Sequence, residues 1–160
     1  MAYAVVRTDN LSGIIDGARL VSFHYYVSAT KTAIQNGNVV SIGALDEKGI
    51  YKATAPSAKQ ALGKLALVAG VEIMYDRQYK NLDEFINPAG AEVRGYILKS
   101  GDVFSVTAEA LDSTPTASTV GLEIQAGTTW KCVTALTDAV AEYIGSDTEN
   151  GYTYYKFRVL

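Results

Sequence analysis

Between Glu72 and Leu111 the chain reads EIMYDRQYKNLDEFINPAGAEVRGYILKSGDVFSVTAEAL, with carboxylates at Glu72, Asp76, Asp83, Glu84 and Glu92. Two carboxylates across a cleft are what glycoside hydrolysis needs, one as acid and the other as base or nucleophile. A strand through Glu72 and Asp76 would place both on one side, roughly 13 Å apart along the backbone. That is too wide for a retaining pair and wide for an inverting one. Solvated carboxylates, or ion pairs with Arg77, Lys80 or Arg94, suit the spacing better.

Other chemistries lack their parts. His24 and Cys132 are the single histidine and cysteine, 108 residues apart and without catalytic context, so neither a zinc ligand set nor a Cys–His pair is expected, and no intramolecular disulfide can form. Cys132 sits in TTWKCVTAL, a strand-like run, and His24 lies between Phe23 and Tyr25 as a packed, hydrogen-bonded histidine would. The acidic run SDTEN, Ser146 to Asn150, lacks the ligand spacing of an EF-hand loop. GALDEKG has no Gly-Lys-Ser/Thr ending, and Ser28, Ser41 and Ser105 have no nucleophile-elbow context. No catalytic residue, cofactor or metal ligand is therefore assigned, and the chain is expected not to be an enzyme. Two alternatives remain. One is a small acidic-site glycan hydrolase, which needs at least two of the five carboxylates to converge in a cleft. The other is a carbohydrate-binding module, which needs Trp130 and tyrosines in an exposed platform, although the strand context of Trp130 favours the core.

The elements that would position these residues are strands. A chain of 160 residues with 48% hydrophobic content can bury a substantial core as one domain. Eleven tyrosines with frequent Gly and Thr favour sheet over helix. A net charge of -3 with no basic cluster argues against nucleic acid. The longest apolar run, Leu65 to Val71, is too short to span a membrane as a helix. The opening MAYAVVRTDN has no basic region followed by an apolar one, so a signal peptide is not expected.

Strands are predicted at Leu20–Val27, Val39–Leu45, Ile50–Ala55, Leu65–Val68, Val71–Tyr75, Glu92–Leu98, Val103–Thr107, Val120–Ile124, Thr129–Ala135, Val140–Ile144 and Tyr152–Val159. Turns at Asp46–Gly49, Lys99–Asp102 and Gly145–Gly151 suggest hairpins, the second joining Glu92–Leu98 to Val103–Thr107. Asn81, with Glu84 three residues on, predicts a capped helical turn ending at Pro88 and Gly90. Together these predict a mainly β fold, a compact barrel or sandwich of about eight to ten short antiparallel strands with one or two short helical turns. Residues 20–160 form the single β-domain, and residues 1–19 are either an arm laid along another chain or an ordinary edge strand.

The order of VRTDN (Val6 to Asn10), LVSFHYYVSATKTAIQNGNVVSIGAL (Leu20 to Leu45), YKATAP (Tyr51 to Pro56), LALVAGVEIMYD (Leu65 to Asp76) and LDEFINPAGAEVRGYILKSGDVFSVTAEAL (Leu82 to Leu111), with a closing aromatic strand, resembles small head-associated proteins of tailed bacteriophages. These are candidate capsid decoration, or cement, proteins. The likeness is strongest between Asn36 and Leu111 and has no diagnostic motif. It implies a virion structural protein on the capsid surface, made in the bacterial host cytoplasm. Its partner would be the major capsid protein, and it would act as a homo-oligomer, with a trimer suiting three-fold positions. Another particle protein (tail tube, connector or fibre base) is the near alternative. The contacts chosen on this basis are Arg7, Asp9 and Asn10 in the arm and Tyr75, Arg77 and Tyr79 in the central segment, because aromatic and arginine side chains dominate interfaces.

Overall fold

The computed structural model describes residues 2–8, 11, 19–46, 48–60, 62–76, 78 and 81–160. Among these are eleven strands: β1 (Leu20–Val27), β2 (Thr30–Lys31), β3 (Val39–Leu45), β4 (Tyr51–Thr54), β5 (Leu65–Val68), β6 (Val93–Ile97), β7 (Val103–Val106), β8 (Gly121–Glu123), β9 (Lys131–Val133), β10 (Ala141–Glu149) and β11 (Tyr152–Val159). Short 3-10 turns occur at Leu62–Lys64, Leu82–Glu84 and Ala108–Ala110. The fold is mainly β, as its turn-punctuated, alternating sequence predicts.

The first sheet closes on itself. Its order is β2-β1-β4-β3-β5-β6, and β6 pairs back to β1, giving a five-stranded barrel with β2 attached outside. All its pairings are antiparallel except β1 with β4, which is parallel. Period-two alternation sends Val21, Phe23 and Tyr25 of β1 inward with Val40, Ala53, Ala66, Val68 and Val93. Gly95 in β6 makes room for this filling, because a Cβ there would sit 2.9 Å from the Phe23 ring.

The second sheet has the order β7-β11-β10-β8-β9 and packs on the outer face of the barrel. Val39, Leu65, Leu67, Tyr96 and Leu98 from the barrel side meet Phe104, Val106, Leu122, Trp130, Phe157 and Val159. Strand β5 therefore lies between two cores, with Ala66 and Val68 in one and Leu65 and Leu67 in the other. That is why LALV is continuously apolar rather than alternating. Trp130 is fully buried, and its indole N–H donates to the Gly37 carbonyl at 2.9 Å. Burying side chains of this size is worth about 1.5–3 kcal/mol each.

Three expected features differ. The Gly145–Gly151 turn shrinks to Asn150–Gly151, both at positive φ, because Gly145 to Glu149 continue β10 in register with β11. The Lys99–Asp102 turn is present, with Asp102 N–H donating to the Lys99 carbonyl at 3.1 Å. It does not close a hairpin, because β6 belongs to the barrel and β7 pairs with β11 in the second sheet. Alternation assigns each strand a face but not a neighbour. Here β1 and β5 occupy both edges of β6, while buried Asp102, ion-paired with Arg19, holds the crossing between sheets. Likewise Val71–Tyr75 enters no ladder, and its backbone leaves the barrel after Gly70.

The described part of the N-terminal segment packs on its own domain. Val6 bridges Val106, Arg7 N–H donates to the Ser105 carbonyl at 3.0 Å, and Thr107 N–H donates to the Val5 carbonyl at 3.0 Å. Residues 4–6 are buried. Residues 3–7 thus lie along the outer edge of β7. Residues 9, 10 and 12–18 lie outside the described residues.

Candidate functional site

The chain makes its long excursion between β5 and β6, and buried asparagines fasten both of its roots. Asn36 Oδ1 accepts from Gly70 N–H at 2.8 Å and from Asn87 Nδ2 at 2.9 Å. Its Nδ2 donates to the Gly70 carbonyl at 3.0 Å and to Glu72 Oε1 at 3.1 Å. Asn87 is also paired with Ile34 through both backbone bonds, each 3.0 Å. Gly70 has to be glycine, since a Cβ would overlap the Asn87 amide. Buried amides satisfied this fully fix backbone position without needing a large apolar core.

The far end is tied down elsewhere. Asp83 carbonyl accepts from Tyr3 N–H at 2.7 Å, and Asp83 Oδ1 accepts from the Tyr152 hydroxyl at 2.9 Å. Glu84 Oε2 accepts from Asn81 N–H at 2.9 Å, as the sequence-predicted cap requires. Between these anchors lies an open groove of about 930 Å³, bounded by Ala2–Tyr3, residues 73–76 and residues 81–88. Its lip carries exposed apolar Ile73 at 55% and Tyr75 at 92% exposure, and Val71, also exposed, precedes them along the chain outside the groove lining. Exposed apolar residues in a row mark a contact surface more often than isolated ones do.

Asp76, Asp83 and Glu84 line this groove together. Asp76 Oδ1 accepts from Gln78 N–H at 2.9 Å, so each of the three serves a turn, a cap or the Tyr152 anchor. Glu92 is exposed and does not line the groove. Glu72 turns into a separate cavity of about 200 Å³ with Arg7, Glu149 and Tyr154. Burial pushes its carboxyl up from the ordinary range, partly offset by the Asn36 hydrogen bond. The strand geometry that set the expected Glu72–Asp76 spacing does not apply, because the segment is not paired in a sheet.

The residues chosen as contacts divide clearly. Tyr75 is on the groove lip. The Arg7 side chain is only 11% exposed, lies 2.5 Å from Glu149 Oε2 and 3.8 Å from Asp147, and stacks 5.4 Å over the Tyr154 ring. It locks the N-terminal segment to the β10–β11 hairpin. Asp9, Asn10, Arg77 and Tyr79 lie outside the described residues. Sequence reasoning missed Ile73, Tyr3 and Phe85 as groove residues. The alternation of VEIMY was the available signal, but it points equally to a half-buried strand.

His24 is buried, with Nδ1 3.0 Å from the Ala91 carbonyl. Cys132 lies on β9 with its thiol 3.3 Å from the Ser113 carbonyl. Among the described residues, no cluster of three or more His, Cys, Asp or Glu could hold a metal ion. No family model matches the chain, and neither a curated protein nor a solved structure matches it.

Proposed function

We propose that this chain is a non-enzymatic virion structural protein of a tailed bacteriophage, one that binds the major capsid protein and stabilises the shell as a decoration protein. The observation that carries the binding reading is the exposed pair Ile73 and Tyr75 on a groove whose roots are fastened by Asn36 and Asn87. A contact surface on a fixed scaffold loses little conformational entropy on docking. The groove carboxylates have structural hydrogen-bond roles, and Trp130 is inside the core, which supports this reading over a glycan hydrolase or a carbohydrate platform. The phage assignment itself rests on the sequence resemblance. Co-sedimentation with empty, expanded phage shells tests it: the wild-type protein should saturate the shells, and Tyr75→Ala should lower occupancy. Failure to bind any shell would remove the decoration role.

A tail-tube, connector or fibre-base role is favoured by one feature, the long β10–β11 hairpin with exposed Ile144, Ser146, Thr148 and Thr153 towards its tip. Rings or tubes formed by the purified protein under negative stain would select that role.

A further inference from the structure

The chain holds two Asn-Gly steps, Asn36-Gly37 and Asn150-Gly151, and the fold treats them oppositely. Such a step is chemically labile, because glycine has no side chain to hinder attack by its backbone nitrogen on the preceding carboxamide. Asn36 is locked. Its buried carboxamide makes four hydrogen bonds inside the protein, and Gly37 N–H donates to the Val68 carbonyl at 2.8 Å. Asn150 is exposed at the tip of the β10–β11 hairpin. Among the described residues, neither its carboxamide nor the Gly151 N–H has a hydrogen-bond partner.

The turn is also one step from the reactive geometry. Asn150 and Gly151 have φ of 52° and 85°, so this two-residue loop is a type I′ turn. Rotating the single peptide group between them gives type II′, the mirror image of type II, with ψ of about −120° at its first central residue. A five-membered imide joining Asn150 Cγ to the Gly151 nitrogen requires ψ near that value. Glu149 and Tyr152 keep their places in the ladder throughout.

We propose that Asn150 is a site of spontaneous deamidation, and that its conversion to isoaspartate loosens two segments tethered to the hairpin. The Gly151 nitrogen gives its proton to hydroxide and attacks Asn150 Cγ. The bond from Cγ to the amide nitrogen breaks, and that nitrogen takes a proton from water and leaves as ammonia. Water then opens the imide: at Cγ it yields aspartate, and at the backbone carbonyl it yields isoaspartate. The second product carries an extra backbone methylene that a two-residue turn does not accommodate. The flanking residues are the tethers, Glu149 to Arg7 and the Tyr152 hydroxyl to Asp83 Oδ1 at 2.9 Å.

Peptide-mapping mass spectrometry of the full chain, held in warm, mildly alkaline buffer made with heavy-oxygen water, tests the site. Asn150 should take up heavy oxygen at least about ten-fold faster than Asn36, whose buried bonds must break first. In urea the two should react at similar rates, since both precede glycine. Equal rates in the folded protein overturn the proposal, as does a folded Asn150 that stays intact while the unfolded chain reacts. Amide exchange reads the consequence. The isoaspartate form should exchange several-fold faster at Tyr3 and Arg7, whose N–H groups donate to Asp83 and Ser105. Freshly prepared Asn150→Asp adds the same charge on a turn that Asp-Gly still favours, and it should match wild type. Unchanged exchange in the isoaspartate form overturns the loosening, and equal acceleration in Asn150→Asp overturns the backbone cause in favour of charge.

Discussion

Gly70 and Glu72 show how few atoms hold the candidate site in place. A methyl group at residue 70 would overlap the Asn87 amide, and the Asn36–Gly70–Asn87 bonds could not all survive. Gly70→Ala should cost about 2–3 kcal/mol in denaturant-induced unfolding, from overpacking and lost buried hydrogen bonds. Glu72 predicts a pH effect. Its folded carboxyl is raised by burial, so the native state holds the proton more tightly than the unfolded chain. Stability from this group is then fully present below the ordinary glutamate range and lost as pH rises through the raised value. Glu72→Gln keeps an acceptor for Asn36, so it should stabilise the protein at neutral pH. That gain should vanish in acid below the ordinary glutamate range, as urea titrations at several pH values would reveal. Neither residue's role is legible in the sequence, because Asn36, Gly70 and Asn87 are far apart along the chain.

The strands were far more legible than their partners. Leu20–Val27, Val39–Leu45, Leu65–Val68 and Tyr152–Val159 form with the predicted bounds, since each pattern of apolar side chains matches a face or a pair of faces. The β6–β7 hairpin was misread because the Gly101 turn serves a crossing between sheets as well as it serves a hairpin. The N-terminal segment is a second case. Its edge pairing depends on Arg7 reaching Glu149, Asp147 and Tyr154, all on a hairpin distant in sequence. Arg7→Met should cost about 1 kcal/mol, since the acidic partners are half exposed and screened. Native-state amide exchange should accelerate at Arg7 and Thr107, while protection in the barrel strands stays unchanged.

At the scale of the molecule, barrel and second sheet are joined through strands that serve both cores, β5 above all. Leu67→Ala, at a fully buried position facing the second sheet, should cost about 2–5 kcal/mol. The protein should still unfold in one transition, with Trp130 fluorescence and far-UV circular dichroism coincident. Two separated transitions would show that barrel and sheet are independent. What the sequence determined by itself was local: most strand positions, the Asn81–Glu84 cap and the interior place of Trp130, all consequences of side-chain period and backbone preference. Closure of the barrel, its parallel β1–β4 pair, the seating of residues 3–7 and the groove beside residues 73–76 were decided only by the tertiary structure. Strand pairing and buried amide networks are long-range choices, in which many neighbours satisfy the same local pattern and only mutual packing and hydrogen bonding select one.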